Sequence, residues 1–133
     1  MKLLLDTNII SYLLQGRPNV RTRYADAVAS TDSMFILCPV VEYEIRRYLL
    51  LKGANRNLAQ FESLTRNWLP STFEDDDWRR AADTWAARHR QGLPIGDADL
   101  LVAISAMKHG AVLVTHNTQD FATLGLQLDD WMR

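Results

Sequence analysis

The sequence predicts one α/β domain over residues 1–133, with a central, mostly parallel sheet of four to five short strands and helices on both faces. Two observations predict it. Apolar runs of strand length recur at 2–5, 34–38 and 111–115, and stretches with helical spacing of apolar residues separate them. The length suits a single domain with a sizeable core, and no repeat, low-complexity tract or linker divides it.

Taken in order, residues 2–5 read as a buried strand. A helix follows over 7–15 and stops at Gly16 and Pro18, and 20–31 forms an amphipathic helix. "MFILC" at 34–38 is the second strand. Pro39 then opens "VVEYEIRRYLLLKG", a helix closed by Gly53. "ANRNLAQFESLTRNWL" places Leu58, Phe61, Leu64 and Trp68 at helical spacing, and a weak strand follows at 69–73. "EDDDWRRAADTWAARHRQG" has acids in its first turn and bases near its end, the charge order a helix dipole favours. "DADLLVAISAMKHG" is a helix running to Gly110. "AVLVT" is the third clear strand, "QDFATLG" a short helix, and 126–131 a tail with room for an edge strand.

The formal net charge is −1, so binding of nucleic acid through bulk positive charge is excluded. Basic residues do cluster locally, at Arg17, Arg21 and Arg23, at Arg46 and Arg47, and at Lys52 and Arg56. Cys38 is the only cysteine, which rules out an internal disulfide and suits a reducing cytoplasm and a structural thiol. No apolar stretch reaches membrane-spanning length.

In parallel α/β sheets, ligand sites form beyond the carboxyl ends of the strands. Asp6 ends the first strand. Glu42 and Glu44 lie early in the helix after the second. Asp97 and Asp99 open the helix before the third, and Asp120 follows that strand beyond "THNT". Converging carboxylates repel each other, and protonation or a divalent cation resolves the repulsion. All-oxygen sites of this kind suit Mg2+ or Mn2+. Asp97, following Gly96, also fits a helix N-cap, while Glu74, Asp75, Asp76 and Asp77 read as plain helix-opening acids. His89, His109 and His116 lack zinc-ligand spacing. Ser105 and His109 are four apart with no orienting acid, and read as surface residues. Phosphate-loop and dinucleotide-binding glycine patterns are absent. The four tryptophans read as core or interface, with Trp78 and Trp85 on one helix face.

Four stretches, "LLLDTNIISYL", "CPVVEYEIRR", "GLPIGDADLLVAISA" and "AVLVTHNTQDF", together with the closing "LQLDDW", resemble in order and separation the PIN-domain ribonucleases, in particular the VapC-type toxins of toxin–antitoxin pairs. The resemblance runs from residue 2 to about 131. It matches Asp6, Glu44 and Asp99 to the family's first three acids and Asp120 to a fourth, variable one. Asp97 matches a position that supports the site in relatives, and Glu42 is out of register. Thr7 and Asn8 match residues that brace the first acid. Thr115 and Asn117 match polar residues bordering the pocket.

The resemblance implies a single PIN domain that hydrolyses RNA with Mg2+ or Mn2+ held by Asp6, Glu44 and Asp99, with Asp97 and Asp120 as further candidates. It also implies a small antitoxin partner and a homodimer. Arg46 and Arg47, one turn past Glu44, are candidates for phosphate contact. Two alternatives are weighed against it. A haloacid-dehalogenase-like phosphatase requires Asp-x-Asp after the first strand, where this chain has Asn8. A catalytically silent PIN-like binding module does not need the intact acids.

Overall fold

The apolar runs become strands in the computed structural model, which describes residues 1–133. The strands are β1 (Lys2–Leu5), β2 (Met34–Leu37), β3 (Leu69–Pro70), β4 (Val112–Val114) and β5 (Leu128–Asp129). Their order is β3-β2-β1-β4-β5, and every neighbouring pair is parallel. Leu4 sits in register with Ile36 on one side and Leu113 on the other. Leu3, Leu4 and Leu5 are all buried, which explains a continuous apolar run in place of an alternating one.

The helices are α1 (Thr7–Leu14), α2 (Pro18–Ala29), α3 (Pro39–Leu51), α4 (Asn55–Thr65), α5 (Asp75–Arg90) and α6 (Asp97–His109). Pro18 does not merely stop α1. It stands at the first turn of α2, where its missing N–H costs nothing, and moves the start of that helix two residues earlier than the sequence suggests. The short helix expected at 119–125 is a single 3₁₀ turn, Thr118–Phe121. The tail does hold an edge strand, β5, parallel to β4.

From β1 the chain steps outward through β2 to β3, then crosses back to β4 on the other side of β1. Right-handed crossovers therefore set α1–α4 on one face and α5–α6 on the other. The reversal lies between β1 and β4, so the segments leaving these strands diverge and open a crevice.

The main core joins the strands to Ile9, Ile10, Val41, Ile45, Phe61 and the small residues Ala103 and Ala106. A satellite of Ala81, Ile95, Leu100 and Ile104 lies between α5 and α6. Trp68 and Trp131 are buried, whereas Trp78 and Trp85 are 52% and 42% exposed. Cys38 is buried, with its sulfur 3.4 Å from Ser105 Oγ, and burial pushes the thiol pKa up, as a structural role requires. Ser105 is fully buried as well, contrary to the surface position its sequence suggests. No helix is long and apolar enough to cross a membrane.

Candidate active site

β1 delivers Asp6 to the crevice. Its backbone N–H donates to Val114 O at 2.9 Å, extending the β1–β4 ladder by one residue and fixing the Cα. The carboxylate is buried and doubly held: Oδ1 accepts from Thr7 N and Oδ2 from Thr115 Oγ1, each at 2.8 Å. Asp6 is thus also the N-cap of α1. Burial raises its pKa, the two hydrogen bonds oppose the rise, and the charges of Glu44 and Asp120 add to it.

Thr7 links two acids. Its backbone caps Asp6, while its hydroxyl donates to Glu44 Oε1 at 2.7 Å. Asn8 makes no hydrogen bond to the Asp6 carboxylate. Its Oδ1 accepts from the backbone N–H of His116 at 3.2 Å and ties α1 to the segment leaving β4. Thr115 Oγ1, fully buried, donates to Asp6 and accepts from Asn117 N at 3.1 Å. The Asn117 contribution is therefore made by its backbone.

Asp99, in the first turn of α6, has its pKa pushed up to about 6. Burial is the largest cause, followed by the charges of Asp6, Asp120 and Glu44. The structure thus brings Asp6, Glu44, Asp99 and Asp120 into one electrostatic neighbourhood. Only Glu44 has a cation within reach, Arg47 Nη2 at 3.9 Å on the exposed side. No three of these side chains stand close enough together to enclose an ion.

The donor set is all carboxylate oxygen, and one member, Asp99, is held as a weaker acid than usual by burial and by the charges of Asp6, Asp120 and Glu44. This chemistry fits a hard divalent cation. Asp97 stands apart. Gly96 occupies the N-cap position of α6, so Asp97 is already in the helix and makes no capping bond, contrary to the expectation. Two residues from Asp99, it faces another way. There it helps line a hollow of about 430 Å³ with Trp78, Ala81, Trp85, Leu100 and Leu101. Glu42 is engaged by Arg46 at 3.1 Å, and Arg46 also binds Glu62 at 3.1 Å.

Arg88 is a residue that sequence reasoning missed. It is buried and meets no carboxylate. Its guanidinium donates instead to Leu93 O at 2.7 Å, Ala122 O at 2.8 Å, Thr123 Oγ1 at 3.2 Å and Asp120 O at 3.5 Å. It pins the turn that carries Asp120 to the end of α5. In sequence it is one of three bases in a last turn, and nothing distinguishes it from Arg90.

The chain matches the PIN domain family over residues 3–125. It is 28% identical over 132 residues to "Ribonuclease VapC1" of Haemophilus influenzae strain R2866, covering 98% of both chains. It is 30% identical over 133 residues to "VapC ribonuclease Y4jK" of Sinorhizobium fredii, covering 95% of this chain and 94% of the relative. It superposes on a chain of VapBC-1 from nontypeable Haemophilus influenzae with a TM-score of 0.80 at 28% identity, covering 100% of each.

Proposed function

The chain belongs to the PIN domain family, and on that footing we propose that it is an endoribonuclease that uses Mg2+ or Mn2+ to hydrolyse RNA phosphodiester bonds. It is the toxin half of a toxin–antitoxin pair. The observation that carries the reading is the set of four carboxylates at the β1–β4 switch point, of which only Glu44 has a cation within reach, with burial and like charge pushing Asp99 up to about 6. Similarity to chains named as ribonucleases supports the choice of RNA, and similarity to a VapBC-1 chain supports an antitoxin partner.

Asp6, Glu44 and Asp99 would hold the cation, with Asp120 as the fourth acid. A divalent ion there supplies positive charge to the phosphate oxygens and to the attacking water. The protein's part is positioning. Thr7 and Thr115 fix the carboxylates of Asp6 and Glu44, Asn8 holds the β4 exit against α1, and Arg88 holds the segment just after the Asp120 turn through Ala122 O and Thr123 Oγ1. The exposed Trp78 and Trp85 on α5 supply apolar surface for a homodimer. The antitoxin inhibits by laying a basic side chain among the acids.

The test is incubation of purified protein with total bacterial RNA in Mg2+, Mn2+ or EDTA, followed by sequencing of the new ends. Discrete cleavage that needs the metal is expected. Cleavage that persists in excess EDTA overturns the metal-dependent mechanism.

A further inference from the structure

Two flanks border the acid cluster, each with a hollow and with paired cations: the α3 flank has a hollow lined by Thr7, Glu44, Arg47 and Tyr48, and on the other flank Arg23 is held by Asp129 at 2.8 Å, which leaves Arg17 and Arg133 as its less engaged cations. On the α3 flank, Arg46 is held by Glu42 and Glu62, and Arg47 lies over the Tyr43 ring at 4.9 Å with Glu44 nearby. On the other flank, His116, Asn117, Thr118, Gln119, Asp120 and Arg133 line a hollow of about 260 Å³ with no hydrophobic residue. Arg133 also borders a second hollow of about 430 Å³ with Asn19, Thr22 and Arg23. The two hollows share Arg133, and the first of them reaches Asp120 of the acid cluster, so together they outline a path from that acid.

His116 on this path is flanked by Tyr12 and, behind it, Arg17, which stand beside the hollows and line neither. The Arg17 guanidinium lies 4.5 Å from the centre of the Tyr12 ring, and Tyr12 meets the His116 ring edge-on at 6.0 Å. His116 is anchored. Its Nδ1 is 3.0 Å from Oδ2 of Asp130, which is buried and whose Oδ1 accepts from Met132 N at 2.9 Å. Only Nε2 of the imidazole remains for a ligand. Arg17 has no carboxylate partner; its one side-chain bond goes to Gln15 Oε1 at 3.4 Å. Arg133 is 82% exposed, and its contact with Asp130 is a loose 3.6 Å.

Single-stranded RNA is held by planar side chains on which bases stack and by guanidinium groups that meet the phosphates. We infer that an RNA strand leaving the acid cluster runs along Tyr12, Arg17, His116 and Arg133, and not across α3. The inference rests on the ribonuclease reading and adds the direction of the strand and the residues that hold it.

The probe is end-labelled total bacterial RNA cleaved in Mn2+, with initial rates measured against RNA and salt concentration. Arg17→Ala and Arg133→Ala change exposed side chains and leave the fold alone. Each is expected to raise apparent KM several-fold while kcat stays within about twofold, and to lower the salt slope by about 0.7. His116→Ala is expected to raise KM likewise. Arg79→Ala, remote on α5, is the unchanged control. If wild-type protein cuts RNA and the Arg17, Arg133 and His116 variants match it, the strand assignment is overturned and the ribonuclease reading stands. A KM rise confined to Arg46→Ala or Arg47→Ala overturns it in the same way. If wild-type protein cuts no RNA, the ribonuclease reading falls, and the strand assignment with it.

Discussion

Two acid-rich regions of this molecule contrast sharply. Glu74, Asp75, Asp76 and Asp77 are consecutive and open α5. Asp6, Glu44, Asp99 and Asp120 are scattered over the chain and meet at the switch point. Three of the first group are engaged where they stand, and Asp75 makes no ion pair. Glu74 and Asp77 form a capping box, Lys108 Nζ lies 2.7 Å from Asp77 Oδ2, and Arg79 pairs with Asp76 at 3.0 Å. The Lys108 ammonium holds the Asp77 carboxyl below its usual range. In the second group, burial and like charge push Asp99 up to about 6 and raise Asp6 as well. Density of acids along a sequence therefore does not mark a site. Acids left together without cations after folding are the candidates.

The largest way to break this contrast is Asp6→Asn. RNA cleavage should fall by roughly a hundredfold or more, because a ligand charge is lost. Stability should change by no more than about 1 kcal/mol. A repelling charge is removed, and the Thr115 hydroxyl can rotate to accept from the new amide. Cleavage kinetics and a thermal melt check both halves; a sharp fall in Tm would make Asp6 structural.

Thr7→Val comes next. It keeps the backbone N–H that caps Asp6 but removes the hydroxyl bound to Glu44. Loss of such a supporting bond costs about 10- to 100-fold in metal affinity or activity. Unchanged kcat/KM would show that Glu44 needs no brace.

A pH comparison sharpens the electrostatic side. A raised carboxyl pKa gives stability that is present below the ordinary value of 3.8 and lost as pH rises through about 6. In EDTA, Asp99→Asn should therefore raise stability at pH 8, by about 1 kcal/mol once solvent screening is discounted. At pH 4.5 the gain should fall to about a third of that. Melts of both proteins at the two pH values check this, and destabilisation at pH 8 would contradict it.

The smallest effect belongs to the other region. Asp76→Asn breaks only an exposed pair, with side chains 73% and 96% accessible, and should cost about 0.5 kcal/mol or less. Cleavage should not change, and a several-fold loss would place the α5 acids in the machinery.

What was legible in the sequence follows the same division. Asp6, Glu44, Asp99 and Asp120 stand next to strand ends or helix starts, so the alternation of elements locates them before any coordinates do. Thr7 is legible as their neighbour. Asn8 reads as a brace for Asp6, but it braces the β4 exit, because the partner of a side chain depends on which loop folds beside it. Arg88 is invisible, since its burial is created by the 3₁₀ turn packing on α5 and leaves no mark in the residues around it. Ser105 misleads for a related reason. Consecutive residues Val102–Ala106 of α6 are buried, so the helix has no free face there and the hydroxyl finds Cys38.

The central claim is that the switch-point acids, and not the α5 acids, take up a divalent cation. Calorimetric titration of Mn2+ at pH 7.5 into wild-type protein, Asp6→Asn, Asp99→Asn and the double variant Asp75→Asn/Asp76→Asn tests it most directly. Binding to the wild type and the double variant, with loss in Asp6→Asn and Asp99→Asn, is the predicted result. Binding that survives in Asp6→Asn and Asp99→Asn but disappears in the double variant would contradict the account.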